Sequence, residues 1–331
     1  MTGITQWHWI AFILCTLFFL ALDPWLFRRA SAQVTVRAAA GWSAIWICAA
    51  LAFALALARW RSHEEAIQFT TGYVIELSLS LDNILVMALI LEWFHLPPEG
   101  QRQALTFGIP GAMLMRGAMI AGGVVLIHRF DWVLYIFGAF LLLAGIKMLF
   151  FRASADPQHN AAVRLARRYF PAPQNQPAHP AGALPGGRIR LALPPLVLAL
   201  ILVETSDLIF AVDSVPAVFS VTRDAFIVFT SNIFAIVGLR SMYFLLAGAL
   251  RHFRYLKAGL SSVLIFAGAK MILAPHGRQP EWFAVHIPAG RALGIIAAIL
   301  LISIALSLAA EQREKKTARM MKSSKSNLPS S

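Results

Sequence analysis

Charge is scarce in this sequence. Only 14% of its 331 residues are Asp, Glu, Lys or Arg, against about a quarter in an average soluble protein. That scarcity, with 58% hydrophobic residues, excludes a disordered chain and argues against a soluble enzyme. Acidic residues are fewer still, 16 against 29 Lys and Arg, for a net charge of +13. Cysteine is nearly absent. Cys15 and Cys48 both lie in apolar runs, so there is no disulfide framework and no CxxC motif. Two isolated thiols in such runs read as small packing residues. No Walker A loop, GxSxG or HExxH occurs, so neither an ATP-driven pump within the chain nor an enzyme is expected.

What the sequence does have is apolar length. Runs of about 20 apolar residues recur, each long enough to cross a bilayer as a helix. About nine spans are expected, near 7–27, 38–58, 67–91, 105–127, 131–151, 192–218, 225–249, 256–274 and 289–310. The fold class is therefore all-α integral membrane. Arg28 and Arg29 stand before the cleavage-like Ala30-Ser31-Ala32, so the first span reads as a retained helix and not a signal peptide.

The excess basic charge sits at span ends and in the tail, where it sets topology and meets anionic lipid at the inner face; nucleic acid is not expected as a partner. With the N-terminus outside, nineteen Lys and Arg fall in inner segments and six in outer ones. This positive-inside bias places the C-terminus in the cytoplasm. Residues 152–191, rich in Pro, Ala, Gly and Arg, read as a flexible cytoplasmic linker. Its basic piece NAAVRLARRYF suits the inner leaflet. The tail EQREKKTARMMKSSKSNLPSS reads as a helix end followed by disorder. Trp7, Trp9, Trp25, Trp60, Trp93, Trp132 and Trp282 fall near span ends and read as interface anchors.

Two parts of the chain resemble each other. ELSLSLDN at 76–83 matches DLIFAVDS at 207–214. Arg116 follows Gly108 by eight residues, as Arg240 follows Asn232, and GIKML at 145–149 matches GAKMI at 268–272. The order implies two three-span repeats. Since three is odd, the second copy is inverted, an arrangement common in secondary transporters with a midplane site. The division is then 1–65, two helices; 66–151, repeat 1; 152–191, linker; 192–275, repeat 2; and 276–331, the last helix and basic tail.

Five acids, Glu76, Asp82, Glu204, Asp207 and Asp213, lie within spans. Each costs about 2.5–3.5 kcal/mol at a helix centre on an insertion scale. Arg116 and Arg240 are placed to neutralise carboxylates, and Lys147 and Lys270 sit near span ends, where they can snorkel. The remaining negative charge calls for a bound cation or for protons. Asn83, Ser78, Ser80, Ser206 and Ser214 add oxygen donors, and no histidine lies mid-span. Oxygen donors suit Mg²⁺, Ca²⁺ or Mn²⁺ over Zn²⁺ or Cu²⁺; a proton relay is the alternative. On a helix, positions seven apart share a face and positions six apart do not. Glu76 thus aligns with Asn83, and Asp207 with Ser214, while Asp82 and Asp213 point elsewhere unless Pro216 breaks the second helix. Gly108, Gly111, Gly117, Gly122 and Gly123 form a small face suited to close packing.

In VIELSLSLDNILV and LVETSDLIFAVDSVPAVF, with Arg116, Arg240, GIKM and GAKM in support, the sequence resembles the TerC/Alx family of integral membrane proteins, nearest to its Alx branch. The resemblance covers roughly 65–310 and no motif position departs from it. It implies a fold related to the lysine-exporter superfamily with two inverted repeats. It also implies manganese efflux, tellurium (tellurite) resistance or, in plastid members, membrane-protein biogenesis. Carried over by motif, Glu76, Asp82, Asn83, Glu204, Asp207, Asp213 and Ser214 are the metal-site candidates, with Arg116, Arg240, Lys147 and Lys270 as charge-pairing groups. The expected function is a secondary transporter in a bacterial inner (plasma) membrane that exports a divalent cation, Mn²⁺ foremost, with no resident cofactor. The rival is a membrane-embedded assembly or scaffold protein, or a tellurium-resistance factor without transport. Protein partners are left open.

Overall fold

A computed structural model describes residues 6–28, 36–94, 96–150, 195–246, 255–274, 285 and 287–326. Among these residues all regular structure is helical. The helices are α1 Gln6–Arg28, α2 Val36–Trp60, α3 His63–Trp93, α4 Pro98–Arg129, α5 Val133–Phe150, α6 Pro195–Phe219, α7 Ala225–Leu246, α8 Leu256–Leu273 and α9 Ala289–Ser326. They fall on the expected spans within a few residues at most ends. The exceptions are α4, which starts seven residues earlier than expected, and α9, which continues sixteen residues past its apolar part, Ala289–Ala310. The 152–191 linker lies wholly outside the described residues.

Six helices contain a stretch long and apolar enough to cross a membrane: α2, α3, α4, α5, α8 and α9. The described apolar stretches of α1 and α7 are shorter, Gln6–Leu17 and Ala225–Leu239. Helix α6 is as long as α2, but Glu204, Asp207 and Asp213 interrupt its apolar character. Large apolar side chains face outward along the bundle, among them Leu114, Leu143 and Leu301. In a soluble protein that surface would aggregate; here it is the lipid-facing surface. Trp7, Trp60 and Trp132 are exposed as interface anchors should be. Trp9 is not one of them. It packs edge-on against Phe226 of α7, ring centroids 5.3 Å apart. The cysteines also depart from expectation: both are exposed on the bundle surface and contribute little to its packing.

Glycine decides the closest approaches. A Cβ on Gly268 of α8 would lie 2.7 Å from the carbonyl oxygen of Gly138 and 2.6 Å from the amide nitrogen of Leu142, both on α5. Only a residue without a side chain lets these backbones meet. Gly145 likewise lies against Ser261 and Ile265, so α5 and α8 run antiparallel. Helices α3 and α6 are also antiparallel, since Gly72 adjoins Val218 while Asn83 reaches Asp207. So are α4 and α7, joined at Arg116–Asn232 and again at Gln101–Tyr243.

One rim of the bundle is held by capping and ion pairs. Ser62 Oγ accepts from the Glu65 amide at 3.1 Å to start α3, and Asp224 accepts from the Phe226 amide at 2.9 Å to start α7. These caps satisfy amides that have no partner within their own helices. Arg61 bridges the two, paired with Glu65 and with Asp224.

The candidate polar site at the helix crossings

Glu76 and Asn83 share the buried face of α3, as the seven-residue spacing demands. Asp207 and Ser214 share the buried face of α6 in the same way. The two faces meet at Arg116 of α4, whose side chain is fully buried. Its guanidinium grips Asp207 with two bonds, Nη2 to Oδ1 at 2.9 Å and Nε to Oδ2 at 3.2 Å. This two-pronged geometry is the strong form of an arginine–carboxylate pair. Nη1 pairs with Glu76 Oε1 and also donates to Ser214 Oγ at 3.3 Å and to Asn232 Oδ1 at 3.2 Å. Asn83 donates to Asp207 Oδ1 at 3.2 Å. Four helices thus contribute to one buried polar cluster.

Glu204 stands one turn before Asp207 on α6 and feels its charge. It lies in a notch of α4, where a Cβ on Gly111 would come within 2.7 Å of its Oε2 and a Cβ on Gly108 within 3.0 Å of its Oε1. The small face on α4 therefore has two uses. Gly123 admits the Phe219 ring, whereas Gly108 and Gly111 make room for a carboxylate. Glu204, Asp207, Gly108 and Ala112 line a cavity of about 20 Å³, room for about one water or one bare ion. Four oxygens of the candidate residues are buried without a hydrogen-bond or ion-pair partner among the described residues: Glu76 Oε2, Ser80 Oγ, Asn83 Oδ1 and Glu204 Oε2. A buried acceptor left unpaired costs roughly 1–3 kcal/mol, so this region is poised to take up a donor or a cation.

The other candidates lie apart from this cluster. Asp82 and Asp213 are half-buried on neighbouring faces. Lys257 of α8 acts electrostatically on Asp82, and Lys147 of α5 on Asp213. Helix α6 is not broken at Pro216; it runs on to Phe219. The aspartates therefore keep the divergent direction set by unbroken helices. Lys270 also departs from the expected snorkelling. It is buried, and its ammonium donates to the carbonyl oxygen of Ser220, just past the end of α6. The side chain of Arg240 lies outside the described ones. Ser78 and Ser206 donate to their own helix, to Val74 and Leu202 carbonyls at 2.6 and 2.8 Å, which leaves lone pairs but no free proton. Among the described residues, no three His, Cys, Asp or Glu side chains are grouped so as to hold a metal ion.

Reading the sequence alone missed Asn232 and Lys257 as site residues. Asn232 is polar within the apolar run of α7, and that was its available signal. Lys257 resembles any topology-setting charge at a helix start, and nothing local marks it as Asp82's neighbour.

Buried acids and an arginine at helix crossings are where a family signature should fall, and residues 61–315 match the integral membrane protein TerC family. The chain belongs to the TerC family. It is 45% identical over 283 residues to "Uncharacterized membrane protein STKORF319" of Myxococcus xanthus, covering 85% of this chain and 88% of that one. It is 39% identical over 321 residues to "Putative membrane-bound redox modulator Alx" of Salmonella typhi, covering 93% and 96%. An uncharacterized membrane protein of Rickettsia bellii is 32% identical over 307 residues, covering 91% and 96%. No solved structure matches the chain. Within the matched residues, the TerC segment spans α3 to the membrane part of α9, so the whole Arg116 cluster belongs to it.

Proposed function

We propose that this TerC protein is a secondary transporter that exports a divalent cation, Mn²⁺ foremost, from the cytoplasm of a bacterium. The observation that carries the reading is the charge of the buried cluster. Glu76 and Asp207 in the cluster and the partly buried Glu204 beside it bring three carboxylates, and Arg116 one guanidinium; an ion would have to draw these acids together, since they are not grouped around a common point. Two negative charges are left over, the charge that one divalent cation neutralises. Burial in a low-dielectric bundle makes such a surplus costly. Between turnovers protons can occupy the same acids, so metal and proton become alternative occupants of one site. Every donor is oxygen, which favours a hard ion. Arg116 now holds the place where Glu76 and Asp207 converge, so loading requires its guanidinium to release those carboxylates while Ser214 and Asn232, which it already touches, retain it. Asp82 and Asp213, each within the field of a lysine, are read as waypoints beside the main site. The chain is read as a carrier, without enzymatic activity or a resident cofactor.

The antiparallel courses of α3 and α6, α4 and α7, and α5 and α8 support two inverted repeats around this site. The nineteen-to-six charge bias supports nine spans with the N-terminus outside. Reporter fusions after Asn175 and after Ser331 should both report cytoplasm. A periplasmic signal from either would reverse the parity on which the inverted repeat depends.

Export and assembly roles separate by mutation. Asp82→Asn and Asp213→Asn keep side-chain size and remove charge. Both are expected to lower manganese tolerance several-fold while protein still accumulates in the membrane. Truncation after Arg313 should leave tolerance intact. The opposite pattern, a silent pair of aspartates and a required tail, would favour a scaffold. The name of the Salmonella relative raises a redox role, and Cys15 with Cys48 tests it. The double serine variant is expected to retain full manganese tolerance, measured as growth under manganese load; a collapse would point to thiol chemistry.

A further inference from the structure

Apart from the polar site, the bundle contains a much larger apolar cleft, about 540 Å³, between α1, α2 and α7. We propose that this cleft seats one acyl chain of a bilayer phospholipid. Its position comes first. On α2 the lining runs from Trp46 to Trp60, fourteen residues and therefore about 21 Å of helix. Half of a hydrocarbon core is about 15 Å, so the cleft is long enough for a chain of one leaflet. At one end the rings of His8 and Trp60 meet at a tilt of 42°, centroids 4.4 Å apart, with Trp60 41% exposed. That is an interface marker, and it puts the cleft mouth near headgroup level.

The chemistry of the walls selects the guest. The hydroxyl of Thr16 is already committed to the Phe12 carbonyl at 2.8 Å. The remaining walls are mainly rings and methyl groups, among them Phe53, Phe226 and Ala52. Such a space gives water few partners and favours an apolar occupant.

Continuity identifies the source. Ala11 and Cys15 on α1, and Ala52 and Ala56 on α2, line the cleft and are themselves exposed. Beside them lie Leu14 and Leu55, 61% and 70% exposed on the lipid-facing surface. The small side chains leave a slot between two lipid-facing ridges, open sideways to the bilayer. Inside, α1 reaches α7 through the rings of Trp9 and Phe12. A chain in the slot would complete the packing of α1 against the bundle.

The test uses the full-length protein extracted in mild detergent. Native mass spectrometry should show one phospholipid that survives washing, and Ala52→Phe with Ala56→Phe should reduce it about tenfold or more, a difference of about 1.4 kcal/mol. Parent protein carrying detergent alone, or equal lipid in both proteins, would overturn the proposal. A second measurement does not depend on the filled variant folding. Trp46 is only 9% exposed, so a phospholipid brominated along its acyl chain can reach it closely only from within the cleft. Reconstituted in that lipid, the parent should lose a share of tryptophan fluorescence that Trp46→Phe no longer loses. Identical quenching of the two proteins would reject the site.

Discussion

Replacing Arg116 by leucine is expected to destabilise the protein by roughly 3–5 kcal/mol, the usual cost of stranding a buried ionic partner. Five bonds or pairs depend on this one side chain, and they reach α3, α6 and α7. Without it, Glu76 and Asp207 would be left buried without their cation, and Asp207 would keep only the bond from Asn83. Arg116→Lys should recover part of the loss. An ammonium supplies the charge but not the planar fork that holds both oxygens of Asp207. Adding Asp207→Asn to Arg116→Leu should also restore stability, because it removes one of the stranded charges. The measurement is thermal unfolding in detergent, with membrane abundance as a check. Equal melting temperatures for the parent and Arg116→Leu would mean that the cluster is solvated and not a structural node.

The largest functional effect is expected at Glu204. Its Oε2 has no hydrogen-bond partner among the described residues, so Glu204→Gln should cost little stability. Its charge is another matter. One unit charge about 4 Å from a cation is worth on the order of 4 kcal/mol at an effective dielectric of 20. Even a third of that is about a tenfold change in affinity. Cells relying on Glu204→Gln should accumulate manganese under load nearly as cells without the protein do, at normal membrane abundance. Gly111→Ala should act in the same direction, because its Cβ would meet the carboxylate at 2.7–2.9 Å and push it from the notch. Metal content measured in whole cells distinguishes the outcomes. Export by Glu204→Gln equal to that of the parent would remove this acid from the ion path and leave Asp207 and Glu76 to be tested alone.

Much of the site was legible because helical periodicity is rigid. A spacing of seven puts Glu76 with Asn83 and Asp207 with Ser214, and the buried faces of α3 and α6 obey it. The same rule sends Asp82 and Asp213 aside, and they are aside. The use of Gly108 and Gly111 was not legible. Close packing and room for a carboxylate demand the same residue, and only the neighbour across the gap tells them apart. Lys270 was misjudged for a similar reason. A lysine near a helix end usually reaches for water, but here the carbonyl of Ser220 lies within reach first.

Composition and run length by themselves determined that this chain is a helical membrane protein, because uninterrupted apolar runs of about 20 residues fit a bilayer-spanning helix, whereas the strands of a membrane barrel alternate apolar and polar residues. Motif order determined its family and singled out its buried acids. Which cation answers which carboxylate was decided only by the tertiary structure. Arg116 lies 40 residues from Glu76 and 91 from Asp207, and Lys257 lies farther still from Asp82. Coulomb attraction in a low-dielectric interior depends on distance in space, and those distances are set by how glycines let helices approach, which one-dimensional spacing does not record.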